Sequence, residues 1–93
     1  MNNKLPLICP SCKHLLKVKQ LHCDNCQTEV TGLYSLPIIS QLSCDDQKFI
    51  LDFIKVSGSL KIMAQNMKLS YPTVRNKLDD IINSINNLEK NAE

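Results

Sequence analysis

Four cysteines, Cys9, Cys12, Cys23 and Cys26, stand as two C-x-x-C knuckles with ten residues between them, and no other feature restricts the fold of this chain as much. Two residues between thiols let one tight turn aim both sulfurs at a common ion. Two such turns complete the tetrahedral four-sulfur shell that Zn²⁺ prefers. The ten intervening residues are slightly fewer than the usual template, yet enough for a short hairpin. The spacing therefore predicts one structural zinc ion. His14 and His22 flank the knuckles and are read as bystanders, because four thiolates already close the shell. A redox role is disfavoured, since the chain is too short for the βαβ context such pairs usually occupy. An iron centre of the rubredoxin kind usually carries glycine after the second cysteine, where this chain has Lys13 and Gln27.

At 93 residues the chain holds one small domain or two very small modules. A module of ~35 residues buries too little apolar surface to fold alone and needs a staple. Zinc supplies one, with apparent binding free energies of roughly 10–16 kcal/mol in zinc-finger peptides. The formal charge is +2 with cysteines neutral. Four zinc-bound thiolates and the ion together cancel it, so global charge does not select a partner. Its distribution says more. No acid lies between Asp52 and Asp79, a stretch carrying Lys55, Lys61, Lys68, Arg75 and Lys77. Residues 1–23 carry Lys4, Lys13, Lys17 and Lys19, again with no acid. Both stretches suit phosphate. Nothing reads as a signal peptide or membrane span, and thiols meant for zinc suit a reducing compartment, so the expected location is the cytoplasm.

Along the chain, the second half of Leu15–Leu21 alternates as a strand, and Thr28–Thr31 reads as a second strand broken at Gly32. Residues 1–32 are thus a zinc ribbon. Residues 33–42 are too apolar for a free linker: Leu33, Tyr34, Leu36, Ile38, Ile39 and Leu42 call for burial, and the expectation is a strap packed on the helices beyond it. Residues 43–93 change period to about 3.6. Ser43 reads as an N-cap followed by acids, and Phe49, Ile50, Phe53 and Ile54 form an apolar stripe that stops near Gly58. Ser59 caps a short helix with Leu60, Met63, Ala64 and Met67 on one face. Ser70 caps a third, with Pro72 tolerated in its first turn and Val74, Leu78, Ile81, Ile82, Ile85 and Leu88 apolar.

A short helix, the turn Lys68-Leu69-Ser70 and a longer helix have the size and punctuation of a helix-turn-helix. Ala64 suits a close helix crossing, and Leu69 is expected to plug the core. The start of the third helix then offers Ser70, Tyr71, Thr73, Arg75, Asn76 and Lys77 to DNA. Asn pairs in two-pronged fashion with adenine, Arg or Lys with guanine, and Thr meets a thymine methyl. Asp79 and Asp80, one turn on, confine any contact to the first two turns, and Arg75 stands four residues before Asp79, at ion-pair spacing. Ile81, Ile82, Ile85 and Leu88 continue a coiled-coil-like spacing, available to a second copy in a homodimer or to the strap. Cys44 reads as an idle thiol opposed by Asp45 and Asp46. No nucleophile–base set, phosphate loop or open metal position is present, so an enzyme and a small-molecule substrate are not expected.

Cys9-Pro10-x-Cys12, Cys23-x-x-Cys26, Thr28-x-Val30-x-Gly32-x-Tyr34-x-Leu36-Pro37 and Gly58-Ser59-Leu60-Lys61 together resemble a family of small bacterial proteins classed as a domain of unknown function, with an N-terminal zinc ribbon and a C-terminal helix-turn-helix. The likeness runs from Cys9 to about Ile82. Ser70-Tyr71-Pro72-Thr73-Val74-Arg75 is its most specific block, and is also similar to the DNA-reading helix of sigma-factor region four. The resemblance implies a DNA-binding regulator. One departure is Met67-Lys68-Leu69, where a turn glycine is common, which implies a less sharp turn. The resulting reading is a small α+β chain acting on double-stranded DNA as a transcription regulator. A protein–protein adaptor docking on the transcription machinery or on another protein is the alternative.

Overall fold

The computed structural model describes residues 5–91. Lys4 and the outer ends of both modules lie outside the described residues. Two antiparallel strands are followed by a short 3-10 helix and three α-helices: β1 (Val18–His22), β2 (Glu29–Tyr34), the 3-10 helix (Ile38–Gln41), α1 (Cys44–Lys55), α2 (Leu60–Met67) and α3 (Tyr71–Asn91). The chain divides into two compact units, one through Pro37 and one from Ile38. The small α+β class expected from the sequence is the class observed.

In the first unit β1 pairs with β2, with Gln20 opposite Thr31, Leu21 opposite Val30 and His22 opposite Glu29. An irregularity between Val18 and Gln20 shifts the register, and Val18 then meets Tyr34. A smaller bridge joins Ile8 to Leu15 before the hairpin. Gly32 does not break β2. A Cβ built there would lie 2.6 Å from the Tyr34 ring, so the missing side chain lets that ring lie across the strand. No described residue of this unit is fully buried. The unit has backbone pairing but, among its described residues, no apolar core.

The second unit owns the core. Leu42, Phe49, Leu60, Met63, Ala64, Val74 and Ile81 are buried, with Ile50, Phe53, Val56, Leu78, Ile85 and Leu88 packed around them. Each helix begins as expected. Ser43 Oγ accepts from the Asp46 amide at 3.1 Å, Ser59 Oγ from the Ile62 amide at 3.2 Å, and Ser70 Oγ from the Thr73 amide at 3.3 Å. Helices α1 and α2 end alike. The Gly58 amide reaches back to the Phe53 carbonyl and the Ser57 amide to that of Ile54. In α2, Leu69 reaches Ala64 and Lys68 reaches Gln65. These are Schellman ends with Ser57 and Lys68, both at φ 57°, in the left-handed position. The turn into α3 is therefore fully closed, with Lys68 adopting the conformation that glycine more commonly supplies.

Several sequence expectations are corrected. The stretch 33–42 is not one strap: Leu33 and Tyr34 complete β2, while Ile38–Gln41 packs on α3. Of its six apolar residues Leu42 alone is buried, and Leu33 is 73% exposed. Ile54 is 66% exposed, because its direction from the α1 axis lies ~100° beyond that of Phe53 and outside the core-facing arc, where Val56 packs instead. Leu69 is exposed and does not plug the core. Ile81, read as part of a partner-facing seam, is 2% exposed in the core of its own unit. Ile85 and Leu88 pack around that core, and Ile82 alone of the four is exposed. These assignments have a direct check in urea unfolding. Ile81→Ala should lower stability by ~2–5 kcal/mol, whereas Ile54→Ala should stay within ~0.5 kcal/mol of wild type.

Candidate functional site

The two knuckles are built alike. The Lys13 amide donates to the Cys9 carbonyl and the Gln27 amide to the Cys23 carbonyl. The Cys9 amide returns to the His14 carbonyl and the Cys23 amide to that of Thr28. Both turns require a left-handed residue after the second cysteine, and Lys13 (φ 66°) and Gln27 (φ 65°) supply it. Glycine is favoured there but not obligatory.

The turns aim donors at sulfur. The Cys12 amide points to Cys9 Sγ at 3.5 Å, and with the Ser11 amide it holds the Cys9 thiol below its ordinary pKa. The Thr28 hydroxyl stands 2.9 Å from Cys26 Sγ, and with the Thr28 amide it lowers the Cys26 thiol likewise. Donors that stabilise a thiolate also suit a thiolate bound to metal. Sequence reasoning does not single out Thr28. Its position two residues after Cys26 is the available signal. The structure brings Cys9 together with Cys12 and Cys23 together with Cys26. Among the described residues, however, no group of three or more His, Cys, Asp or Glu is gathered closely enough to hold a metal ion, so the pairs are not joined in one shell. The donor set itself fits zinc: four thiols on two matched turns, in a unit with no buried side chain among its described residues to hold it otherwise. Zn²⁺ would supply the cross-link between the turns, with Cys9, Cys12, Cys23 and Cys26 as ligands. His22 is engaged elsewhere, with Nε2 at 2.9 Å from Gln27 Oε1 and Nδ1 at 3.7 Å from a Glu29 carboxylate oxygen.

In the second unit Ser70, Tyr71, Thr73 and Asn76 are exposed at the start of α3. Ser70 Oγ and Thr73 Oγ1 are 2.7 Å apart, so these two hydroxyls complete the cap as well as facing outward. Arg75 Nε lies 3.4 Å from Asp79 Oδ1, the pair its spacing predicts. Lys77 departs from expectation. It is half-buried, 3.8 Å from Asp46 Oδ1 and 5.9 Å over the Phe49 ring, and is thus turned towards α1. No sequence spacing announces that pairing, because it joins helices far apart in the chain. Lys61 of α2 and Lys68 of the turn are exposed and form no ion pair among the described residues. Beside Lys77 a cavity of about 250 Å³ opens among Phe49, Met63, Met67, Asp45 and Asp52. Among the described residues, no helix is long and apolar enough to cross a membrane.

A ribbon with paired thiol knuckles followed by a capped helix-turn-helix defines a class, and family models place the chain within it. Residues 9–37 match the DUF2089 zinc ribbon, and residues 42–88 match the domain of unknown function (DUF2089)-HTH. The chain belongs to this family. Comparison with curated proteins and with solved structures gives no match.

The thiol geometry has a measurable consequence. The Thr28 hydroxyl stabilises the charged form of Cys26, so Thr28→Val should weaken zinc binding by the chain ~10–100-fold, read from a chelator-competition profile. An unchanged profile would remove the hydroxyl from the account.

Proposed function

We propose that this chain is a DNA-binding transcription regulator whose ribbon is held by one structural zinc ion bound to Cys9, Cys12, Cys23 and Cys26. The observation that carries the reading is the tip of α3. A sealed turn and a double-hydroxyl cap present Tyr71, Thr73 and Asn76 to solvent. The preceding helix and the turn carry Lys61 and Lys68, exposed cations with no ion pair among the described residues. A helix that enters the major groove by its N-terminal residues needs polar side chains there and cations beside them. Asn76 is the candidate base reader, and Thr73 and Tyr71 are candidates for methyl or sugar contact. Arg75 and Lys77 are contributors held by carboxylates. A catalytic role forms no part of the proposal.

The competing reading is an adaptor that binds another protein, and it draws on one feature: Leu51 and Ile54 leave an apolar strip on α1 outside the core. Binding to random duplexes followed by selection of bound sequences decides between them. On a selected duplex Asn76→Ala should weaken binding ~5–100-fold, with zinc content and helical circular dichroism unchanged. Unchanged binding by Asn76→Ala, or no duplex binding by the zinc-loaded wild type, would favour the adaptor. A second expectation concerns the metal. Chelation should release one zinc per chain and abolish the ordered amide signals of residues 5–37, while most helical signal survives, because the apolar core lies in the second unit. Loss of both units together would contradict a purely local role for zinc.

A further inference from the structure

Both cations on the tip of α3 are matched to carboxylates of their own unit, one within the helix and one from α1. Arg75 Nε is 3.4 Å from Asp79 Oδ1, and Lys77 Nζ is 3.8 Å from Asp46 Oδ1 while lying over the Phe49 ring. Asp46 is held in place in turn, as part of the first turn of α1, where its amide donates to Ser43 Oγ. Lys61 and Lys68 have no such partner among the described residues. The cations of the helix-turn-helix therefore fall into two groups, free and reserved.

We propose that Asp46 and Asp79 are specificity-determining residues that keep Lys77 and Arg75 off phosphate on random DNA. This rests on the DNA-binding reading of the preceding subsection. On any duplex Lys61 and Lys68 make loose phosphate contacts, which carry no sequence information. Arg75 and Lys77 join only when α3 seats deeply enough for a phosphate to replace the carboxylate. That exchange is gained at a cognate site, where base contacts hold the helix in the groove, and not on a chance sequence. A pair as exposed as Arg75–Asp79, with side chains 53% and 48% accessible, is screened by water, so release is a small step rather than a lock. The Lys77–Asp46 pair is longer, at 3.8 Å, but with side chains 38% and 24% accessible it is less screened.

The test measures affinity for random and for selected duplexes against salt, in full-length zinc-loaded protein. Asp79→Asn and Asp46→Asn should each tighten random-duplex binding ~2–5-fold. Each should also steepen the slope of log affinity against log salt by about one, the signature of one added phosphate contact. Selected-duplex affinity should rise less, so the specificity ratio falls. Asp80→Asn is the control, since it removes an equal charge at the next position, and Asp80 holds no cation among the described residues. The gain from Asp79→Asn should vanish in an Arg75→Ala background, and that from Asp46→Asn in a Lys77→Ala background. Equal gains from Asp80→Asn, or gains that persist without the paired cation, would reduce the effect to general repulsion and overturn the proposal. Failure of wild type and every variant to bind any duplex is a different result: it overturns the reading of the helix itself, and this inference with it.

Discussion

The crossing of α2 on α3 is the contact on which the rest of the helical unit depends. Met63 and Ala64 on one helix meet a core that contains Val74 and Ile81 of the other, and Met63, Val74 and Ile81 are the least accessible large side chains among the described residues. Ala64 lets the helices approach, and the Schellman end of α2 fixes the entry of α3 by tying Leu69 to the Ala64 carbonyl. One residue thus serves both packing and turn geometry. With that crossing set, the face of α3 opposite Val74 has only one place to go, and Asn76 is carried to solvent. The exposed tip is a by-product of the packing.

The first unit rests on a different principle. It has matched turns and a short hairpin, with Leu21, Val30 and Tyr34 still exposed. Hydrophobic burial of that kind is too slight to offset the ordering of its backbone. A cross-link between the two knuckles restricts the unfolded chain and adds bond energy where burial cannot. On the proposed reading, dependence on zinc would be the physical counterpart of the core that the described residues of this unit lack, and the two units would draw their stability from separate sources.

Much of what is local is legible in the sequence. Serine caps, knuckle spacing and the change of period at Ser43 each involve residues within four positions of one another, and Ser43, Ser59 and Ser70 make their expected bonds. Sequence and structure part where the answer depends on a neighbour in space. Ile54 and Ile81 are both apolar and both helical, but only one falls within the arc that a second helix covers. Lys77 looks outward by its position in α3, yet Asp46 and Phe49 of α1 give it somewhere to fold. Gly32 reads as a stop, whereas its true reason is the ring of Tyr34 lying over it. Left-handed residues are hidden differently. With only two glycines in the chain, Lys13, Gln27, Ser57 and Lys68 take that conformation. Here position gives them away better than residue type: each stands after a second knuckle cysteine or closes a helix.

Electrostatics narrow the mode of action. With zinc bound, the formal charges of the chain cancel, so no strong net field draws it to a polyanion from afar. Under physiological salt, fields between exposed charges fade over ~8 Å in any case. Recognition by such a protein has to be decided at contact, by where individual cations stand and what already holds them. Among the cations of the helix-turn-helix, Lys61 and Lys68 stand in water, Arg75 is tethered within its own helix, and Lys77 is held by a different helix. On the proposed DNA-binding reading, a ranking of that kind would make contact with phosphate stepwise instead of all at once. It would then give the geometry of base reading, rather than bulk charge, the larger share in deciding where the protein stays.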